Sequence, residues 1–495
     1  MISRKFIFTS YGMSFFSLFT VFYCLYNNSN NLYQYLFIIP LIYSIANITF
    51  TVFLIRTETY GLNIIFYVAY VLIFIRYVLT PFFTIFSGKF IFWGWGPNPL
   101  KESMLFAEIL MSLELIIIYC TQYFSIKYYS KRYRNVFNNQ AKSFTKNNCD
   151  HLLVLSVYAL FSGTLVLCFQ PSLLSIGSLI KNGITNTPNM FTVNNNLYGA
   201  FTILSDTFKK VIVIILFILL QKSYIKNKGH LYYFYLFWGI SIILLSVLLN
   251  MGYTRLRIIF ALVLGLYFTR YILGKIPLTI YVVLSMGLII PVILISINKF
   301  SYALSSSTSP VTSVIATMSG QFQDYFSGPR LVGQMIDMKK YGSLFNINIS
   351  TFINDFTGSV PFISNYVNQE NRINYYFNIF NGMSNQSLIA PISGIGYVYF
   401  PAFPFLFSII FEHYVIKLDF LMTKSNKISY KYIYAYMGYI CSMCMGYSTQ
   451  NIYAEFVSDF IPLIILLKLN DVTFKARMGE NKGKFLIGMN NTKNN

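Results

Sequence analysis

Charge is scarce in this sequence, and acid is the scarcest part of it. Only 11% of the 495 residues are Asp, Glu, Lys or Arg, less than half the roughly 25% usual for soluble domains. There are 16 acids against 37 Lys and Arg, with three His, six Cys and three Trp. The chain is 55% hydrophobic and 19% aromatic, with a mean hydropathy of +0.55. A soluble fold of this length could not hide so much apolar surface, whereas a bilayer can. The cysteines (Cys24, Cys120, Cys149, Cys168, Cys441 and Cys444) lie mostly inside apolar runs, without the spacing of a disulfide framework. Cys441 and Cys444 form a C-x-x-C, but mid-way along an apolar helix, where cysteine behaves as a small hydrophobe. No Gly-rich nucleotide loop, Walker signature or metal-ligand cluster is present, so ATP-driven chemistry is not expected and no metal or other cofactor is called for.

What is there is a series of apolar runs. A membrane span needs about 20 predominantly apolar residues, and the pattern predicts an all-α, polytopic integral membrane protein of about twelve spans. They fall at 6–26, 33–55, 61–86, 104–125, 152–172, 201–220, 231–250, 255–273, 277–297, 391–414, 431–449 and 451–468. The start, "MISRKFIFTSYGMSFFSLF", runs on past Tyr23 without a small-residue cleavage site and reads as a first span rather than a signal peptide. The expected organisation is nine spans in 1–297, a large extracytoplasmic loop at 298–390, three spans in 391–470 and a basic cytoplasmic tail at 471–495.

Charge placement orients these spans. The +21 formal charge does not point to nucleic acid, because basic residues mixed with aromatics mark the ends of membrane helices. Segment 126–150 carries Lys127, Lys131, Arg132, Arg134, Lys142 and Lys146 against Asp150, and 221–230 carries Lys222, Lys226 and Lys228. Arg270 and Lys275, then Lys417, Lys424, Lys427 and Lys431, close two further inner connections, while the 56–60 turn is neutral. Segment 27–32 has no charge and 298–390 is nearly balanced, with five Lys or Arg against four Asp or Glu. Both termini are therefore expected in the cytoplasm. The long loop, with "DYFSGPRLVGQMIDMKKYG" and "NDFTGSVPFISNYVNQENRINYYFNIF", has near-helical apolar spacing, which predicts short helices lying on the outer membrane face. Trp93 and Trp95 at 88–103 read as an aromatic belt.

Charges within or at the outer mouth of a span are costly and so are candidates for function. Arg255 and Arg257 open the eighth span, where a guanidinium grips a phosphate with two hydrogen bonds or anchors the helix to headgroups. Two residues apart on a helix, they lie about 200° apart. Asp206, Lys209 and Lys210 precede Val211–Leu220, a stretch too short to span, so that helix must begin earlier and bury a lysine. Lys210 either meets phosphate or neutralises Asp206 four residues before it. Arg76 lies inside the third span, either functional or snorkelling outward. On the loop stand Arg330, Asp337, Glu370 and Arg372. Glu108 and Glu114, with Glu455 and Asp459, suit ion coupling or, more simply, polar contacts between helices. His151, His230 and His413 fall at or near the cytoplasmic side, which leaves Asp or Glu as any outer-face base.

The spans, the cationic helix start "GYTRLRIIFALVLGLY" and the large outer loop together resemble the bacterial oligosaccharide repeat-unit polymerases of O-antigen, capsule and exopolysaccharide, the Wzy type. "DYFSGPRLVGQMID" is similar to the aromatic-x-x-Gly-Pro stretch of that family's loop, and "NQSLIAPISGIGYVYFPAFPFLFSIIF" to its run into a Gly-rich tenth span. The resemblance covers 200–470 and is mostly one of layout. It implies a membrane glycosyltransferase that needs no metal or nucleotide sugar and extends glycans carried on undecaprenyl pyrophosphate. Its partners would be that lipid-linked oligosaccharide, the bilayer, and flippase and chain-length-regulator proteins, at the bacterial cytoplasmic membrane. Arg255, Arg257, Lys210 and Arg330, with Arg76 and Arg372 behind them, would stabilise the leaving pyrophosphate. Asp337 or Glu370 would take the acceptor's proton. The paired Arg-rich repeats of some family members are absent. The alternatives are a lipid-linked oligosaccharide flippase or exporter and an O-antigen ligase. The missing outer-face histidine speaks against the ligase.

Overall fold

A computed structural model describes residues 4–57, 62–87, 96–140, 150–169, 173, 196–227, 231–250, 255–284, 286, 319–320, 322–342, 347–360, 363–382, 388–446 and 449–474. Every regular element among them is helical. In chain order these are α1 (Arg4–Asn27), α2 (Ile38–Arg56), α3 (Ile64–Phe74), a π-helical turn at Ile75–Leu79, and α4 (Thr80–Phe86). Then come α5 (Lys101–Gln140), α6 (Leu153–Phe169), α7 (Asn196–Lys226), α8 (Tyr232–Asn250) and α9 (Arg255–Leu273). Short helices follow: α10 (Pro329–Lys340), α11 (Ile349–Thr357), α12 (Ile373–Phe380) and α13 (Ile392–Tyr399). The last are α14 (Leu406–Lys424), α15 (Ile428–Ser442) and α16 (Thr449–Glu455), the last continuing through a π turn at Phe456–Phe460 into helical residues 461–474.

Five of the described stretches are long and apolar enough to cross a membrane: Arg4–Asn27, Asn31–Arg56, Ile64–Phe86, Lys101–Tyr133 and Tyr232–Leu249. They coincide with spans one to four and seven of the sequence reading. The sixth and eighth fall in α7 and α9, and α7 begins at Asn196, well before Lys209, as the shortness of its apolar run required. The tenth is different. It is broken between α13 and α14, where Pro401 and Pro404 remove backbone donors and a Cβ at Gly396 would lie 1.9 Å from Pro404 O. α5 also exceeds its predicted span, staying helical to Gln140, well into the basic connection expected at 126–150. Most of the ninth span, Trp93, Trp95, His230 and the end of the basic tail lie outside the described residues.

The chain forms two compact units. The first comprises Met1–Thr145, Ser296–Lys424 and Tyr434–Glu455, and the second Lys146–Ile295, Ser425–Ile433 and Phe456–Asn495. In the first, α5 is the central element: α2, α10, α13 and α14 all pack on it. α10 is not a surface helix, because every residue from Pro329 to Met338 is buried. The expectation of helices lying on a membrane face therefore fails for α10, whose Gly333 and Gly394 contacts bring it against Pro99 and α13 too closely for added side chains. In the second unit, α7 packs on α6, α8 and α9, around a core that includes Ile243, Val247, Ile258 and Ala261.

Distant aspartates hold several helix starts in place. The first turn of a helix leaves backbone N–H groups without partners, and carboxylates there also meet the positive end of the dipole. Asp419 accepts from the N–H groups of Asn63 (2.5 Å) and Ile65 (3.1 Å) at the start of α3. Asp337 accepts from Leu100 N–H (2.8 Å) just before α5. Asp355 accepts from Ile373 N–H (3.1 Å) at the start of α12. In the second unit Asp150 takes both the N–H and the hydroxyl of Ser429 at the start of α15.

Candidate functional site

The turn that leads into α10 is built by its own sequence, Gln323-Asp324-Tyr325-Phe326-Ser327-Gly328-Pro329-Arg330. Residues 322–325 are helical and end in a closed loop in which Gly328 N–H donates to Gln323 O at 2.8 Å. Ser327 takes the left-handed conformation (φ +49°) that usually falls to glycine at such a helix end. Gly328 permits a close approach: a Cβ there would stand 3.2 Å from Gln323 Cα and from Thr80 Cγ2, tighter than most side-chain contacts. Pro329 then starts α10 with its ring pre-set for the first turn.

This turn places Asp324 within electrostatic reach of Arg330. Arg330 is buried, at 4% exposure. Asp324 is half-buried, and burial pushes its carboxyl up to about 7, against the opposing pull of the Arg330 guanidinium. No hydrogen bond from a described residue lowers it further. Gln323 fixes the turn to α4 by donating from Nε2 to Thr84 Oγ1 (3.1 Å). The result is a carboxyl raised by burial within electrostatic reach of a buried guanidinium, an environment that suits a general base.

The two aspartate and glutamate candidates read from the sequence are placed otherwise. Asp337 is buried and one of its oxygens caps α5. Glu370 is exposed, beside the turn at Asn368. Arg372 belongs to a different cluster, where it faces Asp355 at 3.8 Å and donates to Gln369 Oε1 (2.7 Å) and Ser359 Oγ (3.2 Å). Asp355 also accepts from the Tyr399 hydroxyl and the Gln450 amide. Burial outweighs the ion pair on both sides of this contact, pushing Asp355 up to about 6 and pulling Arg372 down. The cluster ties α11, α12, α13 and α16 to one carboxylate.

Arg76 does not snorkel. It is fully buried in the π turn and pairs with Glu114 of α5 at 3.0 Å. Tyr77 Oη (3.0 Å) and Ser408 Oγ (2.6 Å) donate to the same carboxylate, while Arg76 also reaches Met445 Sδ (2.8 Å) and Ser393 Oγ (3.3 Å). A π turn re-aims side chains and is frequent at functional positions, but here the guanidinium is committed to an interior counter-ion.

The second unit holds Lys210, Arg257 and Arg255. Lys210 meets Asp459 at 2.5 Å, not Asp206. Asp206 instead faces Lys209 (3.5 Å) and Arg257 (3.7 Å). Lys209, Lys210 and Arg257 therefore share one cluster with two acids. Arg255 starts α9, and its side chain lies outside the described residues. Asp459 sits on the π turn at Phe456–Phe460, so the acids of the last span do serve as polar contacts between helices. Among the described residues no group of three His, Cys, Asp or Glu could hold a metal ion.

Asp324, Asp355, Tyr399 and Gln450 were not singled out from the sequence. Asp324 lies six residues before Arg330 in the same aromatic-Gly-Pro stretch, and that spacing was the available signal. No protein-family model, curated protein or solved structure matches the chain.

Proposed function

We propose that this chain is a multispan membrane glycosyltransferase that polymerises oligosaccharide repeat units carried on undecaprenyl pyrophosphate, at the outer face of a bacterial cytoplasmic membrane. The observation that carries the reading is the Asp324–Arg330 turn in the 298–390 segment. A transfer from a lipid pyrophosphate leaves negative charge on the departing group, and a preorganised buried guanidinium stabilises it without a metal. Arg330 supplies that charge. The acceptor hydroxyl must lose its proton as the glycosidic bond forms, and a carboxyl near neutrality is matched to take it. Asp324 takes that role from Asp337 and Glu370. In the second unit Lys209, Lys210 and Arg257 stand against two acids, Asp206 and Asp459, and that excess of positive charge supports a lipid-phosphate reading.

The test uses the full chain in liposomes with its own lipid-linked repeat unit and neither nucleotide sugar nor ATP. A ladder of lengthened glycans that disappears with Arg330→Ala supports the polymerase. Passage of the unit across the bilayer with no lengthening contradicts it and leaves the flippase.

A further inference from the structure

Among the described residues, most buried acids have a visible task. Glu114, Asp206 and Asp459 face cations. Asp150, Asp337, Asp355 and Asp419 hold helix starts. Glu412 accepts from Gln122 Nε2 at 2.8 Å. Glu108 has none of these. It is 1% exposed in α5, a helix long and apolar enough to cross a membrane, and neither of its carboxylate oxygens has a hydrogen-bond partner. An ionised carboxylate in such a place, with neither donor nor counter-ion, is so costly that the group neutralises instead.

From this geometry we infer that Glu108 is a proton-binding site, with the carboxyl held as the neutral acid in the resting protein. Among the described residues, its charge reaches Cys24 of α1 and Tyr33. Tyr33 is itself buried and lies beside Gln323 and within reach of the Arg330 charge. Gln323 Oε1 is a second buried acceptor without a partner, its amide orientation fixed by the Nε2 bond to Thr84. One proton on Glu108 supplies a donor and removes a charge at once, whereas an alkali cation would also need several converging oxygens. Ionising Glu108 would put negative charge within electrostatic reach of Tyr33. The inference does not depend on glycosyl transfer.

The experiment is infrared difference spectroscopy of the full chain in detergent or lipid, with thermal melting of the parent, Glu108→Gln and Glu108→Asp in NaCl, KCl and choline chloride. The expected result is a protonated-carboxyl stretch that Glu108→Gln removes, with Glu108→Gln melting like the parent in all three salts. Glu108→Asp should keep the band and shift it. Absence of the band from the parent would overturn the proposal. So would a sodium-specific rise in melting temperature that Glu108→Gln abolishes, because the occupant would then be a metal cation.

Discussion

Asp337 Oδ2 accepts a hydrogen bond from the backbone N–H of Leu100 at 2.8 Å, joining α10 to the start of α5 across 237 residues of sequence. The contact explains why a carboxylate that reads as a catalytic base is better understood as a support. Asp337→Ala should cost about 1–2 kcal/mol, the usual worth of a helix cap. Thermal melting in detergent checks this, with Asp337→Asn expected to recover part of the loss.

The Arg76–Glu114 pair is buried on both sides at 3.0 Å. Breaking a buried pair leaves one uncompensated charge, which typically costs about 3–5 kcal/mol. Glu114→Ala should fold poorly or melt far lower. Replacing both residues together by apolar ones of similar volume, as Arg76→Met with Glu114→Leu, should regain most of that loss. A double substitution no better than Glu114→Ala would show that the pair has a role beyond its own neutrality.

Asp324 makes a two-sided prediction about pH. Its folded carboxyl is raised to about 7, so the folded chain holds a proton that the unfolded chain has released above about pH 4. Stability from this group is present at low pH and declines as pH rises from about 4 through about 7. Activity runs the other way, since a base must be ionised: the rate should climb as pH passes about 7 and then level. Asp324→Asn should flatten both profiles. A pH–rate series beside a pH–melting series reads the two together.

Ser327 adopts a positive φ without being glycine, a conformation that costs a non-Gly residue on the order of 1 kcal/mol. Ser327→Gly should therefore hold or slightly raise stability if the unfolded chain's greater freedom does not cancel the gain. Ser327→Val should lower it by more than 1 kcal/mol, roughly, because a β-branched side chain is least tolerated there. Chemical denaturation followed by tryptophan-independent circular dichroism would resolve the order of the three.

Much of the helical layout was legible because apolar length is a one-dimensional property. The runs at 6–26, 33–55, 104–125 and 231–250 became α1, α2, α5 and α8. The break of the tenth span was not read, although Pro401 and Pro404 stand in it, because hydropathy alone sums over the turn. Partners of charges were the least legible. Lys210 had Asp206 four residues away, yet it pairs with Asp459, 249 residues on. Arg76 likewise found Glu114 on another helix. Local spacing proposes a partner, but packing brings the nearer one. The candidate base was missed for the same reason: Asp337 and Glu370 were visible as acids, while the bond that commits Asp337 to Leu100 and the exposure of Glu370 are properties of the folded chain.

The most direct measurement compares single-turnover glycan extension by Asp324→Asn and Asp337→Asn in the same liposomes. Asp324→Asn is expected to melt near the parent but to lose on the order of 100- to 10,000-fold in rate, the usual contribution of a general base. Asp337→Asn should melt lower yet retain its rate at temperatures where it stays folded. A fast Asp324→Asn beside a well-folded but inactive Asp337→Asn would contradict the account and return the base to Asp337.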